Sequence, residues 1–522
     1  MEKLKLNIRN FQESNFISAN RDKILFAIIF AVAVAARVIL FGKLPGGINQ
    51  DEASIGYDAW ALLKYGMDRN GFTLPVHLVA WGSGQNALYA YLSMPFIAIF
   101  GLNIYSVRAV NLLFSLLTVV VMYFTVKHFK GKKAGFVAMA LTAAAPWSIM
   151  SGRWGLEASI FPVMLLLLIW AVSYATEKPR YLYAAAVIAA LSLYSYGPSY
   201  LVITLFVLVC FIYFIIKKLA PIKTLIIAAI VFLVISTPIY IFVIINFFQF
   251  DSSVFIGPIS IPRLYGNRIE SQGGTTFFDF FRNIFYRFFE QTDSYERNAF
   301  VFYGCIYVIS APFWIYGIYR FFKSKTHFDF IVLAALACTI TMFFYYADPN
   351  INRINSIYIP LLFFTAVGIT DLATDKRKLA AIAVAYTLCF SGFLTKYFGE
   401  DFKNYSASDF FDTFDEALAK ATSLAQKSRT INVTTQPLMP YIYALYVSKT
   451  PPQEFTTTAS IANPGSMFQN INSFSNYVFD NAEGLKYGSP GIYVIENERL
   501  PEAQGKTTEI YNFERYSVAV IN

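Results

Sequence analysis

Two adjacent carboxylates, Asp51 and Glu52, follow a Gly-Gly pair in the segment PGGINQDEASIGYDAWALLKYGMDRNG. A carboxylate at a boundary between water and membrane can act as a general base, because partial desolvation raises its pKa. If a helix begins at Asp51, Asp58 lies on the same face two turns away, whereas Glu52 points elsewhere. No two of these acids therefore form an evident metal clamp. The alternative is that Asp51 only caps the N-terminus of the helix, a position that Asp favours.

Three more charged clusters could carry chemistry. SGRWGLE places Arg153 and Glu157 four residues apart, which is also the spacing of an ordinary helix ion pair. ADPNINRIN contains Asp348 and Arg353, and a guanidinium there suits an anionic ligand. Segment 250–298 interleaves aromatic residues with Arg263, Arg268, Arg282, Arg287 and Arg297. Snorkelling or an interhelical salt bridge is the alternative for the first two clusters, and an amphipathic surface helix fits part of the third.

The composition indicates which elements must position these residues. Of 522 residues, 56% are hydrophobic and only 14% are charged, against about 25% charged in typical soluble domains. This excludes a disordered chain, a basic nucleic-acid-binding protein and an ordinary cytosolic enzyme. The net charge of +9 lies in short loops between apolar runs, as in polytopic membrane proteins. All four cysteines lie inside apolar runs and form neither a disulfide nor a metal pattern.

Eleven apolar stretches are long enough to cross a membrane as helices. The predicted spans are 24–42, 105–126, 134–150, 160–175, 181–196, 200–216, 222–246, 299–319, 330–346, 354–370 and 379–395. We interpret the first as an uncleaved anchor, because Arg37 interrupts a signal-like pattern and a 23-residue polar segment precedes the run.

The loop charges predict the orientation. Five connections, 127–133, 176–180, 217–223, 320–329 and 371–378, hold 15 Lys or Arg in 37 residues. The segments on the other side hold 10 in 132 residues, so the five connections are predicted to be cytoplasmic. This assignment requires that 78–101 does not span. We expect an interfacial segment there, anchored by Trp81, Tyr89 and Tyr91.

The predicted fold is a mainly α polytopic helix bundle followed by a small α/β domain. Residues 1–399 form the transmembrane module, with outer loops at 43–103, which carries interfacial helices, and at 250–298. Residues 400–522 form an extracytoplasmic domain with no spanning run. In it, 406–427 is predicted to be a helix, TINVTT and GIYVIENE strands, and MPYIYALYV a short buried helix.

The order of these features resembles the GT-C superfamily of polyprenyl-phosphate-sugar glycosyltransferases, in the branch of protein O-mannosyltransferases and aminoarabinose transferases. The resemblance is carried by NQDEASIGYDAWALLKYGMDRNG, GLNIYSVRAVNLLFSLLTVV and APWSIMSGRWGLEASIFP. It covers about 20–200 and extends more loosely through NINRINSIYIPLLFFTAVGI.

The resemblance implies an inverting transfer on the outer face of the membrane. Asp51 would deprotonate the acceptor hydroxyl or amine, Glu52 would orient the acceptor or neighbouring groups, and Glu157 matches the second acidic position. The leaving phosphate gathers negative charge, which nearby cations would stabilise. Arg353 is the first candidate for that contact, followed by Arg263 and Arg268. Acceptor or sugar contacts are expected from Tyr57, Arg153 and Gln85.

The implied partners are a polyprenyl-phosphate-linked sugar, the bilayer, and a protein, cell-wall polymer or glycolipid acceptor, without nucleic acid. No cofactor is required, and nothing indicates a divalent cation near Asp51. The expected location is the plasma membrane of a prokaryote, with a cytoplasmic N-terminus. One departure is that WGSGQNALYAY, with Gln85 and Asn86, replaces the lysine-containing KPP-like stretch of aminoarabinose transferases.

Two alternative functions remain open. A secondary transporter would need charges near the bilayer midplane, whereas Arg37 and Arg108 fall near predicted span ends, where their side chains can snorkel. A non-catalytic envelope assembly protein would use the carboxylates only as helix caps. Asp51→Asn would separate the assembly protein from an enzyme, because it removes a base while nearly preserving shape.

Overall fold

The computed structural model describes residues 2–266, 275–346, 348–425, 429–479, 483–503 and 505–522, with side chains from residue 20 onward, that of 483 excepted. Helices dominate the first 399 residues. They are α1 Glu2–Val38, α2 Gln50–Tyr65, α3 Leu88–Phe100, α4 Ile104–Lys130, α5 Lys132–Ala144, α6 Pro146–Ser151, α7 Ile160–Ala175, α8 Tyr181–Ser192, α9 Ser199–Ile216, α10 Ile222–Phe247, α11 Phe277–Phe285, α12 Ala311–Ser324, α13 His327–Ile340, α14 Met342–Tyr345, α15 Ile351–Ile354, α16 Tyr358–Leu372 and α17 Lys376–Tyr397.

Seven helical segments of the described chain are long and apolar enough to cross a membrane, and each overlaps a predicted span. They are Ile104–Lys130, Glu157–Ala175, Ser199–Ile216, Ile222–Phe247, His327–Tyr345, Ile351–Leu372 and Lys376–Tyr397. The other four predicted spans contain helices that are more charged, shorter or interrupted. The mainly α, membrane-type architecture is therefore confirmed, and the protein is an integral membrane protein.

Two predicted spans were wrong in detail, and 78–101, which was predicted not to span, is only partly helical. The run 134–150 is broken at Ala145, between α5 and α6, where Pro146 begins a new helix. The run 299–319 becomes helical only from 308 onward, because 299–307 folds as successive turns. In 78–101 only Leu88–Phe100 is helical, and 13 residues rise about 20 Å, less than the roughly 30 Å hydrocarbon core.

Arg37 and Arg108 do not snorkel, contrary to the sequence-based interpretation. Both side chains are fully buried. Arg37 donates to Ser115 Oγ at 3.1 Å and Ser148 Oγ at 2.7 Å, so it ties α1 to α4 and α6. The guanidinium groups of Arg37 and Arg108 stay inside the protein because neighbouring segments supply oxygen acceptors for their hydrogen bonds.

The described residues between 400 and 522 form five α-helices and most of the strands. The helices are α18 Glu400–Asp409, α19 Phe414–Ala425, α20 Pro440–Ser448, α21 Pro452–Thr458 and α22 Glu483–Tyr487. Two hairpins, β1 His77–Leu78 with β2 Gln85–Asn86 and β3 Val254–Ile256 with β4 Ile259–Ile261, precede a sheet built from β5 Ile431–Val433, β6 Ser460–Ile461, β7 Ile471–Phe474, β8 Tyr477–Phe479, β9 Gly491–Glu496, β10 Glu509–Asn512 and β11 Tyr516–Ile521.

The sheet order is β10-β11-β9-β5-β8-β7-β6, and only the two pairings of β5 are parallel. The predicted strands in TINVTT and GIYVIENE are confirmed as β5 and β9, and the predicted buried helix as α20. The single helix predicted over 406–427 is instead two helices, α18 and α19, separated at 410–413.

The C-terminal helices pack directly on the first loop. One hydrophobic core joins α2, α3 and the start of α4 to α19, α20 and the central strands. A Cβ atom added to Gly56 of α2 would lie 2.8 Å from Val107 of α4 and 3.0 Å from Tyr446 of α20. Glycine is therefore needed at 56 for three helices to meet, and this packing positions α2.

Candidate active site

The N-terminus of α2 presents the two adjacent acids in different ways. Asn49 is the N-cap, its side chain accepts from the backbone N–H of Asp51 at 3.0 Å, and Glu52 completes the capping box through the N–H of Asn49. The alternative interpretation, in which Asp51 only caps the helix, was therefore wrong. The Asp51 carboxylate is half-buried beside the capped end of the helix.

Glu52 is fully buried and holds three segments together. Its carboxylate accepts from Arg108 Nε at 2.7 Å and Nη2 at 2.9 Å, and from the backbone N–H of Gly155 at 2.6 Å. Arg108 also donates to the carbonyl groups of Pro45 and Gly47. Glu52 was expected to orient the acceptor or neighbouring groups, and both its oxygens are engaged with neighbouring groups inside the protein. It anchors the helix that carries Asp51.

The β1–β2 hairpin connects Asp51 to Glu157. Gln85 donates to Oδ1 of Asp51 at 3.1 Å, and the backbone N–H of the next residue, Asn86, donates to Oε2 of Glu157. The turn requires Gly84, which has a φ of +83° and packs against the ring of His77. Consecutive Cα atoms are about 3.8 Å apart, so this strand brings the two predicted acids to one place.

Glu157 begins a 3₁₀ turn, Glu157–Ser159, at the start of α7 and is mostly buried. The Asn86 amide donates to the hydroxyl of Tyr200 at 2.8 Å, and Tyr200 lies within electrostatic range of Glu157. Asn355 donates to the carbonyl of Ala158 at 2.9 Å. The turn that carries Glu157 is thus fixed from both sides.

Arg353 approaches the same turn from α15, which contacts Glu157–Ser159. Its guanidinium lies 4.7 Å from the centroid of the Tyr346 ring and is half-buried. Asp348 forms an ion pair of 2.8 Å with Arg287. A planar cation stacked on an aromatic ring can still present hydrogen-bond donors along its edge.

Arg263, a second predicted phosphate ligand, is not brought to this group. Arg263 donates to the backbone carbonyl of Asp251 at 3.3 Å, and its own N–H donates to Ser253. Arg268 lies outside the described residues, so its prediction stays untested.

Tyr57 and Arg153, predicted as sugar or acceptor contacts, are buried elsewhere. The Tyr57 hydroxyl donates to the carbonyl of Thr450 at 2.5 Å, and burial raises its pKa. Arg153 donates to the carbonyl groups of Arg37 at 2.8 Å and Ile39 at 2.7 Å, which end α1. The i, i+4 helix pair of Arg153 with Glu157 was a wrong interpretation, because no helix joins the two residues.

A second buried ion pair lies farther along α2. Arg69 donates to Asp58 at 2.6 Å, and both side chains are buried. Burial, with Asp58 close by, raises the pKa of neighbouring Asp68 to about 7. Among the described residues, no group of three or more His, Cys, Asp or Glu could hold a metal ion.

Several residues of this arrangement were not identified from the sequence. Asn49 had a detectable signal, the N-x-x-E capping pattern with Glu52. Ser54 fills the polar position between Asp51 and Asp58 on one helix face, which periodicity could have revealed. Asn86, Tyr200 and Asn355 gave no signal, because they meet only through the tertiary fold.

Comparisons with known proteins show which family and which folds the chain is similar to. A family model described as dolichyl-phosphate-mannose-protein mannosyltransferase matches residues 86–241. No curated protein sequence matches the chain.

Solved structures share the fold over nearly the whole chain. ArnT from Cupriavidus metallidurans in the apo state has a TM-score of 0.56 at 12% identity, covering 96% of this chain and 98% of that one. ArnT from Cupriavidus metallidurans bound to undecaprenyl phosphate has a TM-score of 0.55 at 13% identity, covering 95% of this chain and 97% of that one. The Archaeoglobus fulgidus oligosaccharyltransferase in complex with Zn and sulfate gives 0.51 at 13% identity, covering 81% of this chain and 61% of that chain.

The predicted resemblance to the GT-C superfamily is therefore confirmed at the level of the fold. With the family match, the shared fold indicates a glycosyltransferase. At these identities the comparisons assign no residue a role, so the roles rest on the site itself.

Proposed function

We propose that this protein transfers a sugar from a polyprenyl-phosphate donor to an acceptor on the outer face of a prokaryotic plasma membrane, with inversion at the anomeric carbon. The observation that carries the proposal is the convergence of Asp51 and Glu157 on adjacent residues of the β1–β2 hairpin. A half-buried carboxylate beside a polar hairpin suits proton abstraction.

In the proposed reaction Asp51 takes the proton of the acceptor hydroxyl or amine. The resulting nucleophile attacks the anomeric carbon from the side opposite the phosphate. The bond from that carbon to the phosphate oxygen breaks, and polyprenyl phosphate leaves with the electron pair. Glu157 is proposed to hold the sugar or acceptor on the other side of the hairpin.

The donor class is supported by an apolar cavity of about 450 Å³ among α7, α8, α9 and α10. At its polar edge, Thr204 and Tyr240 share a hydrogen bond of 2.8 Å. Thr204 lies one helical turn from Tyr200, which contacts Asn86 of the hairpin. The cavity therefore gives a lipid chain apolar space next to the candidate site.

Asp51→Asn tests the function. We expect normal membrane insertion and abundance with transfer lowered by about 10²–10⁴-fold, because the base is lost while the shape is kept. The measurement is the rate at which envelope glycans gain the sugar, followed by mass spectrometry. It compares cells that carry the variant, cells that carry the wild-type protein and cells without the protein. Asp401→Asn, an exposed acid on α18, is the matched control and should retain full transfer. Retention of more than about a tenth of the wild-type rate in Asp51→Asn would contradict the proposal.

Arg353 is proposed to bind the donor phosphate, since α15 lies against the turn that carries Glu157. A guanidinium grips phosphate bidentately, whereas lysine offers one compact charge. Arg353→Lys should therefore weaken use of the donor by about tenfold, and Arg353→Ala by more. Transfer rates against donor concentration provide the measurement. Unchanged donor dependence in Arg353→Ala would eliminate the phosphate role without affecting that of Asp51.

A further inference from the structure

One face of α2 carries three polar residues, Asp51, Ser54 and Asp58, at positions i, i+3 and i+7. Two residues from outside the helix bridge them. Gln85 contacts both Asp51 and Ser54, at 3.1 Å and 2.6 Å. Arg69 contacts both Ser54 and Asp58, at 2.5 Å and 2.6 Å. The five side chains form one continuous polar ladder from the interior of the protein to Asp51.

The chemistry of the ladder fixes the direction of each hydrogen bond. A guanidinium can only donate, so Ser54 Oγ accepts from Arg69 and keeps its own proton for Oε1 of Gln85. An ionised carboxylate can only accept, so Asp51 requires the NH2 group of Gln85. The two contacts of Gln85 therefore select the same orientation of its amide, with the oxygen toward Ser54 and the nitrogen toward Asp51.

The ladder is rigid at its inner end. Asp58 and Ser54 are fully buried, Arg69 is 1% exposed and Gln85 is 3% exposed. Buried polar networks of this kind hold a single arrangement, because a rotated member would leave its partners unsatisfied. Asp51, at the open end, is the only half-buried member.

We propose that Gln85, oriented by Ser54 and Arg69, is the positioning residue that aims the Asp51 carboxylate at the acceptor. The proposal rests on the proposed function, because it needs Asp51 as the base. Gln85 aligns the carboxylate through Oδ1 and leaves its charge intact, since a neutral amide donates without transferring a proton. It acts through Asp51 and makes no contact with the reacting atoms.

The test uses the full-length protein and membranes of a strain that lacks it, which retain unused donor and unmodified acceptor. Gln85→Leu should lower the maximal transfer rate by about tenfold to 100-fold, the effect of losing a hydrogen bond to a charged group. The dependence of the transfer rate on the concentration of added membranes should change little. Ser54→Ala, which frees the amide to rotate, should give a smaller decrease. Ser93→Ala is the control, because Ser93 is equally buried but donates to its own helix at Tyr89.

A pH profile separates positioning from packing. The amide favours ionised Asp51, so its loss should move the acid limb of the profile to higher pH. Gln85→Glu keeps the side-chain volume and should move that limb further, since it places a like charge beside Asp51. The other titratable groups around Asp51 include Glu157, held at Asn86, Glu52, paired with Arg108, the Asp58–Arg69 pair, and Tyr443 on α20. Neither substitution changes them.

The outcomes distinguish this proposal from the function on which it rests. An active Asp51→Asn variant would overturn the base itself. An inactive Asp51→Asn, with a wild-type rate and acid limb in Gln85→Leu, would overturn the positioning role alone. If Gln85→Leu does not accumulate, Gln85→Glu decides, and an unmoved acid limb there would contradict the proposal.

Discussion

Ion pairs at the two ends of the helix bundle differ in how far they are buried. At the site end, the pairs of Glu52 with Arg108 and of Asp58 with Arg69 are buried almost completely, although the nearby pair of Arg287 with Asp348 is exposed at Asp348. The loop end includes the pair of Arg320 and Asp371, whose side chains are 43% and 31% exposed. The 27 residues of α4 separate the two ends by about 40 Å.

The difference shows where charge specifies structure. Each charge of an exposed pair is solvated whether or not its partner is present, so the pair contributes little to the free energy of unfolding. The charges of a buried pair have no water to solvate them, so each ion requires its partner. The acids of the two buried pairs, Glu52 and Asp58, are therefore fixed, whereas Asp371 at the loop end stays in contact with water.

Topology gives the sharpest test of this comparison, because the expected effect is all or none. Lys132 lies at the loop end and Ser408 on α18, and both are exposed. A membrane-impermeant thiol reagent applied from outside should label Ser408→Cys and leave Lys132→Cys unlabelled, as the loop charges predict. The unsubstituted protein controls for the four native cysteines. Labelling at 132 with protection at 408 would reverse the two ends.

Removal of one member of a buried ion pair should have the next largest effect, this time on the free energy of unfolding. Arg108→Gln leaves Glu52 buried without its cation, so we expect the free energy of unfolding to fall by about 3–5 kcal/mol. Thermal unfolding in detergent provides the measurement. The double variant with Glu52→Gln should lose less than the two single variants added together, because the uncompensated charge is gone. Additive losses would show that the pair is not coupled.

The smallest effect is expected at the loop end. Arg320→Gln breaks the pair with Asp371, and we expect the free energy of unfolding to change by less than about 1 kcal/mol. The same unfolding assay applies, which makes the two ends directly comparable. A loss as large as that of Arg108→Gln would remove the distinction between them.

Much of the architecture could be predicted from local sequence. Apolar runs identified the helices because burial and membrane insertion depend on average hydrophobicity over many residues. The same averaging missed the break at Ala145 and the turns before Ala311, which depend on single prolines and on tertiary contacts. The count of membrane spans stays a prediction beyond the seven helices that meet the length criterion.

Within the candidate site, the acids were identified but most of their partners were not. Asp51 and Glu157 stood out because carboxylates are rare in this chain. The partners of Glu52, Tyr57 and Arg153 could not be predicted from the sequence. A buried charged or phenolic group can serve packing as well as chemistry, and only long-range partners such as Arg108, Thr450 and the end of α1 distinguish these uses.

The bond between Tyr57 and Thr450 has a consequence for biogenesis. The two residues are separated by 393 positions in the chain. At about 5–20 residues per second, the ribosome delivers Thr450 some 20 to 80 s after Tyr57. Throughout that interval α2 has already been synthesised, but the helices that will cover its charged side chains have not. The nascent protein must therefore shelter or solvate the residues of the candidate site until translation is nearly finished.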